Sequence, residues 1–182
     1  MRAAALLVGF AVAVGLRVVA GGDDIARSVP AGLLFAGALL VLVLAARTRV
    51  PVSWRALALG GLGIVLVCLP VGLEQLVTLR PLRGTAGFVP WVAAVAVVVT
   101  AEELFLRGAL HDAVAARWSA TVAVVVGAVC FALLHVPMYG WHVVPLDLAV
   151  GVVLGGLRVE AGTPFAPAVT HVGADVVGWF LR

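Results

Sequence analysis

The 182-residue chain contains no lysine, two cysteines and three serines, and only 12% of it is charged. Soluble domains carry about 25% charged and about 45–50% apolar residues. Here 64% is hydrophobic and mean hydropathy is +1.20, which excludes a soluble globular fold. Without lysine, the net charge of +3 rests on arginine. The arginines are scattered between apolar runs, which excludes a nucleic-acid patch and leaves them as topology determinants. Cys68 and Cys130 lie inside apolar stretches with no Cys-x-x-Cys pair, so there is no disulfide framework, and both read as packing residues. Ser28, Ser53 and Ser119 lack a Gly-x-Ser context, which argues against a serine nucleophile.

What is present is a series of long apolar runs. At 1.5 Å rise per residue, ~20 residues cross a bilayer, and the sequence predicts about seven spans (six to eight): 3–20, 30–46, 55–79, 89–115, 119–136, 142–159 and 164–181. The fold class is therefore all-α, a polytopic transmembrane helix bundle forming one integral membrane domain over 1–182. Arg2, an apolar run and Ala20-Gly21-Gly22 resemble a secretory signal, but Arg17 interrupts the region and further spans follow, which favours a retained first helix. Pro70 predicts a kink or an end in the third span, and Val136-Pro137 predicts the end of the fifth. Gly151, Gly155 and Gly156 predict close approach of a neighbouring backbone to the sixth. A cytoplasmic N-terminus places Arg47, Arg49, Arg55, Arg117 and Arg158 inside, against Arg27, Arg80 and Arg83 outside. Trp91, Trp118, Trp141 and Trp179, with Trp54, read as headgroup anchors, and His111, Asp112 and His142 as interfacial residues.

Against this background the charges inside the spans stand out, since each costs roughly 2.5–3.5 kcal/mol at the centre of a membrane helix. Glu102, Glu103 and Arg107 lie within six residues of one another. On a helix Glu103 and Arg107 share a face and pair in the favourable order, while Glu102 points about 100° away, toward whatever the bundle encloses. A carboxylate so placed suits a general base that takes a proton from water. Phe131 and His135 share a face, as do His171 and Asp175. The last two make either a metal pair or an oriented imidazole that polarises a carbonyl. Two glutamates, two histidines and an aspartate on three apolar helices suit hydrolysis, in which one acid activates water and the other groups steady an oxyanion or bind a metal.

Glu-Glu-xxx-Arg, then Phe-xxx-His, then His-xxx-Asp, in this order on successive helices, resembles the CPBP family of intramembrane proteases. These are CaaX-processing and bacteriocin-processing enzymes related to the prenyl-protein endopeptidase. The resemblance runs from Glu102 to Asp175, so residues 89–182 carry the protease core. Members are often drawn with eight helices, against seven here. The resemblance implies that Glu102 activates water and that His135 and His171 line the cavity. Asp175 stands in the family's Asn-or-Asp position, Glu103 and Arg107 support the site, and Phe131 packs. His135 and His171 are also the candidate ligands for Zn2+ or another divalent metal, and the same groups could instead hold water and an oxyanion without one.

Other intramembrane chemistries fit less well. There is no His-Glu-x-x-His, no rhomboid-type serine, and no Gly-x-Gly-Asp to make an aspartyl dyad of Asp147 and Asp175. Leu146-Asp147-Leu148 is a near miss for a second zinc-protease motif. The expected function is an intramembrane endopeptidase that cleaves a membrane or membrane-associated peptide in or near the lipid bilayer. Its expected location is the cell (plasma) membrane, with no nucleic-acid partner. The alternative is a non-catalytic membrane scaffold or a bacteriocin self-immunity protein of the same family, with a proton-relay transporter further off.

Overall fold

A computed structural model describes residues 3–78 and 82–181. Arg2 and Arg80, used above as signal-like flank and topology charge, and residue 79, the expected end of the third span, lie outside the described residues. The helices are α1 (Ala3–Gly21), α2 (Val29–Ala46), α3 (Trp54–Thr78), α4 (Phe88–Ala115), α5 (Ala120–Tyr139), α6 (Val144–Ala161) and α7 (Phe165–Leu181). Six helical segments are long and apolar enough to cross a membrane, and α7 is a shorter apolar helix. No strand occurs among the described residues, so the protein is a polytopic helical bundle. Its outer surface is rich in exposed valine and leucine, such as Val19 and Val77 at 84% exposure each, as a lipid-facing surface requires.

The helix starts follow from capping. Each of the three serines does this work: Ser28, Ser53 and Ser119 accept from the backbone N–H of Ala31, Ala56 and Val122 at 3.4, 3.1 and 3.2 Å. Neither Pro70, where a kink or an end was expected, nor Pro137, where an end was expected, terminates its helix. Helix α3 runs through Pro70 to Thr78, and α5 runs through Pro137 to Tyr139, as membrane helices allow when surrounding helices support the freed backbone groups.

Helix α4 is the hub. It is α-helical to Glu103, π-helical over Leu104–Leu110 and α-helical again over His111–Ala115. The π segment touches α1, α2, α5, α6 and α7, and all of it except Leu104 is buried. Arg158 donates from Nε to the Arg107 carbonyl at 2.7 Å and pairs with Asp112 at 2.7 Å, bracing this segment from α6. Such π segments occur frequently at functional sites.

Two close approaches set the helices that carry the histidines. On α6, a Cβ at Gly151 would lie 2.8 Å from the Ala128 Cα, and one at Gly155 would lie 2.7 Å from Val124 Cγ1. Gly156, expected to join them, has nothing within 4 Å. On α7, Thr170 donates to the Gly60 carbonyl at 3.0 Å, and a Cβ at Gly63 would come within 2.3 Å of the Thr170 hydroxyl oxygen. The Gly151 contact is with backbone and cannot swing aside. Gly151→Ala is therefore expected to destabilise the bundle by about 1–3 kcal/mol through overpacking, and Gly156→Ala is expected to be neutral. Thermal unfolding of the two variants in one detergent checks this, and equal midpoints would contradict it.

The aromatic residues divide differently from the sequence reading. Trp54, Trp118 and Trp141 are exposed as anchors should be, but Trp179 is only 6% exposed. It packs on Trp91 at 4.7 Å and donates from Nε1 to the Gly84 carbonyl at 3.1 Å. His111, expected at the interface, is buried, with neither ring nitrogen hydrogen-bonded. Asp112 and His142 are exposed or half-exposed, as expected.

Candidate active site

Glu103 is the centre of the polar cluster. It ends the α-helical part of α4 and is fully buried. Its Oε1 accepts from Arg107 Nη1 at 2.8 Å and from His171 Nδ1 at 2.9 Å, so one oxygen ties α4 to α7. Its Oε2 is buried without a hydrogen-bond partner. Arg107, 1% exposed, also donates from Nη2 to the Gly151 carbonyl at 3.3 Å, and its guanidinium lies 4.8 Å from the Phe131 ring centroid. The expected Glu103–Arg107 pair is therefore present and extends to α5, α6 and α7. The expected partner of His171 was Asp175, one turn away on its own helix. In the structure His171 Nδ1 lies 2.9 Å from Glu103 Oε1, a partner on another helix.

Glu102 meets a different cation from the one that Glu103 holds. At 3% exposure it lies 3.4 Å (Oε1) from Arg17 Nη1 of α1. Arg17 is itself buried, and its guanidinium is 5.1 Å from the Phe35 ring centroid of α2.

The two imidazoles meet at Phe131. His135 and His171 make edge-on contacts with its ring at centroid distances of 4.7 and 5.3 Å. His135 Nδ1 is 3.0 Å from the Phe131 carbonyl and 3.4 Å from Asp147 Oδ2. A carbonyl can only accept, so this network assigns the proton to Nδ1 and a free lone pair to Nε2. At His171 the carboxylate of Glu103 likewise takes Nδ1–H, leaving Nε2 for a ligand. Phe131, 2% exposed, is thus the packed spacer that sets both rings, as a packing residue of that motif should.

A metal bound by His135 and His171 needs a third convergent donor. Among the described residues no group of three His, Cys, Asp or Glu side chains is arranged to hold one. The donors present do not fit a zinc site of that kind.

The model of one protein family, described as type II CAAX prenyl endopeptidase Rce1-like, matches residues 84–177, just over half of the chain. The chain belongs to this family. Comparison with curated proteins and with solved structures gives no match. The match to the Rce1-like family spans Glu102, Glu103, Arg107, Phe131, His135, His171 and Asp175, so the three motifs read from the sequence all fall within it. Membership supports a CAAX-type intramembrane protease in an integral, multi-pass membrane setting.

Two residues at the cluster escaped the sequence reading. Arg17 entered it only as an interruption of a signal-like segment, and Asp147 only as a residue weighed for two other enzyme classes. Both are ionisable side chains inside apolar spans, which is itself a functional signal. Neither has a polar partner at helical spacing that would have drawn attention to it.

Proposed function

We propose that this Rce1-like protein is an intramembrane endopeptidase in which Glu102 activates the attacking water. The observation that carries the reading is the assembly around Phe131. Buried Glu103 of α4 and two imidazoles of α5 and α7 with fixed Nδ1 partners converge there, and buried Glu102 is the chain neighbour of Glu103. Glu102 takes a proton from water as the oxygen attacks the scissile carbonyl carbon. His135 Nε2 accepts from the same water and orients it. Negative charge develops on the carbonyl oxygen, where His171, as an imidazolium whose Nδ1–H is held by the Glu103 carboxylate, donates from Nε2. Glu102 then returns the proton to the leaving amine as the C–N bond breaks, so each proton is accounted for. Asp175 completes the polar wall on α7. The substrate is a membrane or membrane-associated peptide presented in or beside the bilayer, and the site of action is the cell (plasma) membrane.

The test compares protein termini by mass spectrometry in host membranes carrying the native chain or Glu102→Gln at matched expression. New termini confined to the native chain are expected, and they identify substrates directly. Identical terminus profiles across several growth conditions would count against proteolysis and favour a binding or immunity role.

No step above passes through a metal. Cleavage of a peptide spanning a native-only site is therefore expected to survive prolonged treatment with EDTA or phenanthroline, retaining more than about half its rate. Loss of activity restored by added Zn2+ would replace the water-activation scheme with a metal-based one.

A further inference from the structure

The family match begins at residue 84, whereas a buried cation reaches Glu102 from α1. Resting on the reading of Glu102 as the base, we propose that Arg17 is a positioning residue for the reaction. It holds the Glu102 carboxylate in the orientation that water activation requires, which makes α1 part of the active centre.

The geometry of α1 supports this. Leu6, Phe10, Ala13 and Arg17 are its buried residues, and their three- and four-residue spacing places them on one stripe. Arg17 therefore lies on the face that packs inward, not on one from which a long side chain reaches the headgroups. Phe10 stacks on Phe105 of the π segment at 5.3 Å and 8° between ring planes, fixing α1 against the helix that carries Glu102. Phe35 of α2 supports the guanidinium from a second helix.

The hydrogen bonding of Arg17 favours a functional role over a structural one. A structural buried arginine normally satisfies its donors. Arg107 does so against a carboxylate, a carbonyl and a ring. Among the described residues Arg17 instead makes one hydrogen bond, at 3.4 Å from Nη1 to Glu102, beside its contact with the Phe35 ring, and its Nε is buried without a partner. A cation held this way does little for its own packing and acts mainly on the carboxylate beside it.

The test measures kcat and KM for Arg17→Met, Arg17→Lys and Glu102→Gln in the full-length protein. The probe is an internally quenched peptide spanning the strongest native-only cleavage site. Misplacing a catalytic group by about 1 Å costs about 100-fold, so Arg17→Met is expected to lose about that much in kcat. Its KM should stay within about threefold of native, because an interaction used only in the transition state has been removed. Arg17→Lys keeps the charge without the planar fork and is expected to lose about tenfold, an intermediate value. A helix-packing role for Arg17 would lower the amount of folded protein without this ordered fall in kcat at constant KM. If Arg17→Met does not assemble, Arg17→Lys decides alone. A fall in kcat at constant KM supports the inference, and a native kcat or a loss confined to KM overturns it. Glu102→Gln separates the two levels: if it keeps native activity, the reading of Glu102 as base fails. If it is inactive while folded Arg17 variants keep native kcat, only the role of Arg17 fails.

Discussion

Glu102→Gln is expected to lower kcat by about 10²–10⁴-fold, the range that a positioned general base contributes, while the protein still assembles. The amide nearly matches the carboxylate in size, and its carbonyl oxygen remains an acceptor for Arg17 Nη1, now 3.4 Å from Oε1. What is lost is the ability to take a proton from water. KM should change little, because the side chain is 3% exposed and acts on the water more than on the bound peptide. Glu102→Asp makes a second point on the same curve. It keeps the acid but withdraws it by one methylene, and a displacement of about 1 Å costs about 100-fold. Kinetics on the substrate peptide, beside thermal unfolding of each variant, checks both. Native kcat in a folded Glu102→Gln protein would remove Glu102 from the base position and direct attention to Glu103, whose Oε2 is buried without a partner.

The helices were legible in the sequence because hydrophobic length determines a membrane span almost unaided. The expected ends lie within about three residues of the observed ones, apart from the prolines. At Pro70 and Pro137 a rule calibrated on soluble helices does not end the helix, since membrane helices tolerate proline more readily. Within the site, legibility followed sequence distance. Glu103–Arg107 is an i,i+4 contact and could be read directly. Arg17–Glu102 spans 85 residues and His171–Glu103 spans 68, and nothing local announces either. The His171–Asp175 spacing drew attention to a local carboxylate and gave no sign of the distant one, Glu103, at Nδ1. Trp179 shows the same limit, since a tryptophan near a helix end reads as an anchor until Phe88 and Trp91 are seen packed against it. The π segment was invisible for another reason. Its composition is ordinary for a membrane helix, and its hydrogen-bond register depends on what surrounds α4.

Arg107→Met is expected to cost about 3–5 kcal/mol of stability, the penalty for removing one partner of a buried ion pair, and to abolish cleavage. Arg107 sits where three helices meet, bonded to Glu103 and to the Gly151 carbonyl and packed on Phe131. Methionine fills part of the volume but leaves Glu103 with a buried charge and His171 as its remaining donor at 2.9 Å. The double variant Arg107→Met/Glu103→Gln separates stability from catalysis. With both charges gone, the uncompensated carboxylate disappears, and replacing a whole buried pair by neutral groups is often neutral or stabilising. Its thermal midpoint should therefore return most of the way to native. Activity should not return, because a neutral amide at position 103 no longer gives His171 the carboxylate that fixes its ring and supports charge on it. Thermal unfolding and peptide cleavage, measured on the native chain, Arg107→Met and the double variant, read the two effects independently. Recovery of both stability and cleavage would mean that the Glu103–Arg107 pair only holds helices together. Recovery of stability alone would show that the pair also orients His171 for the reaction.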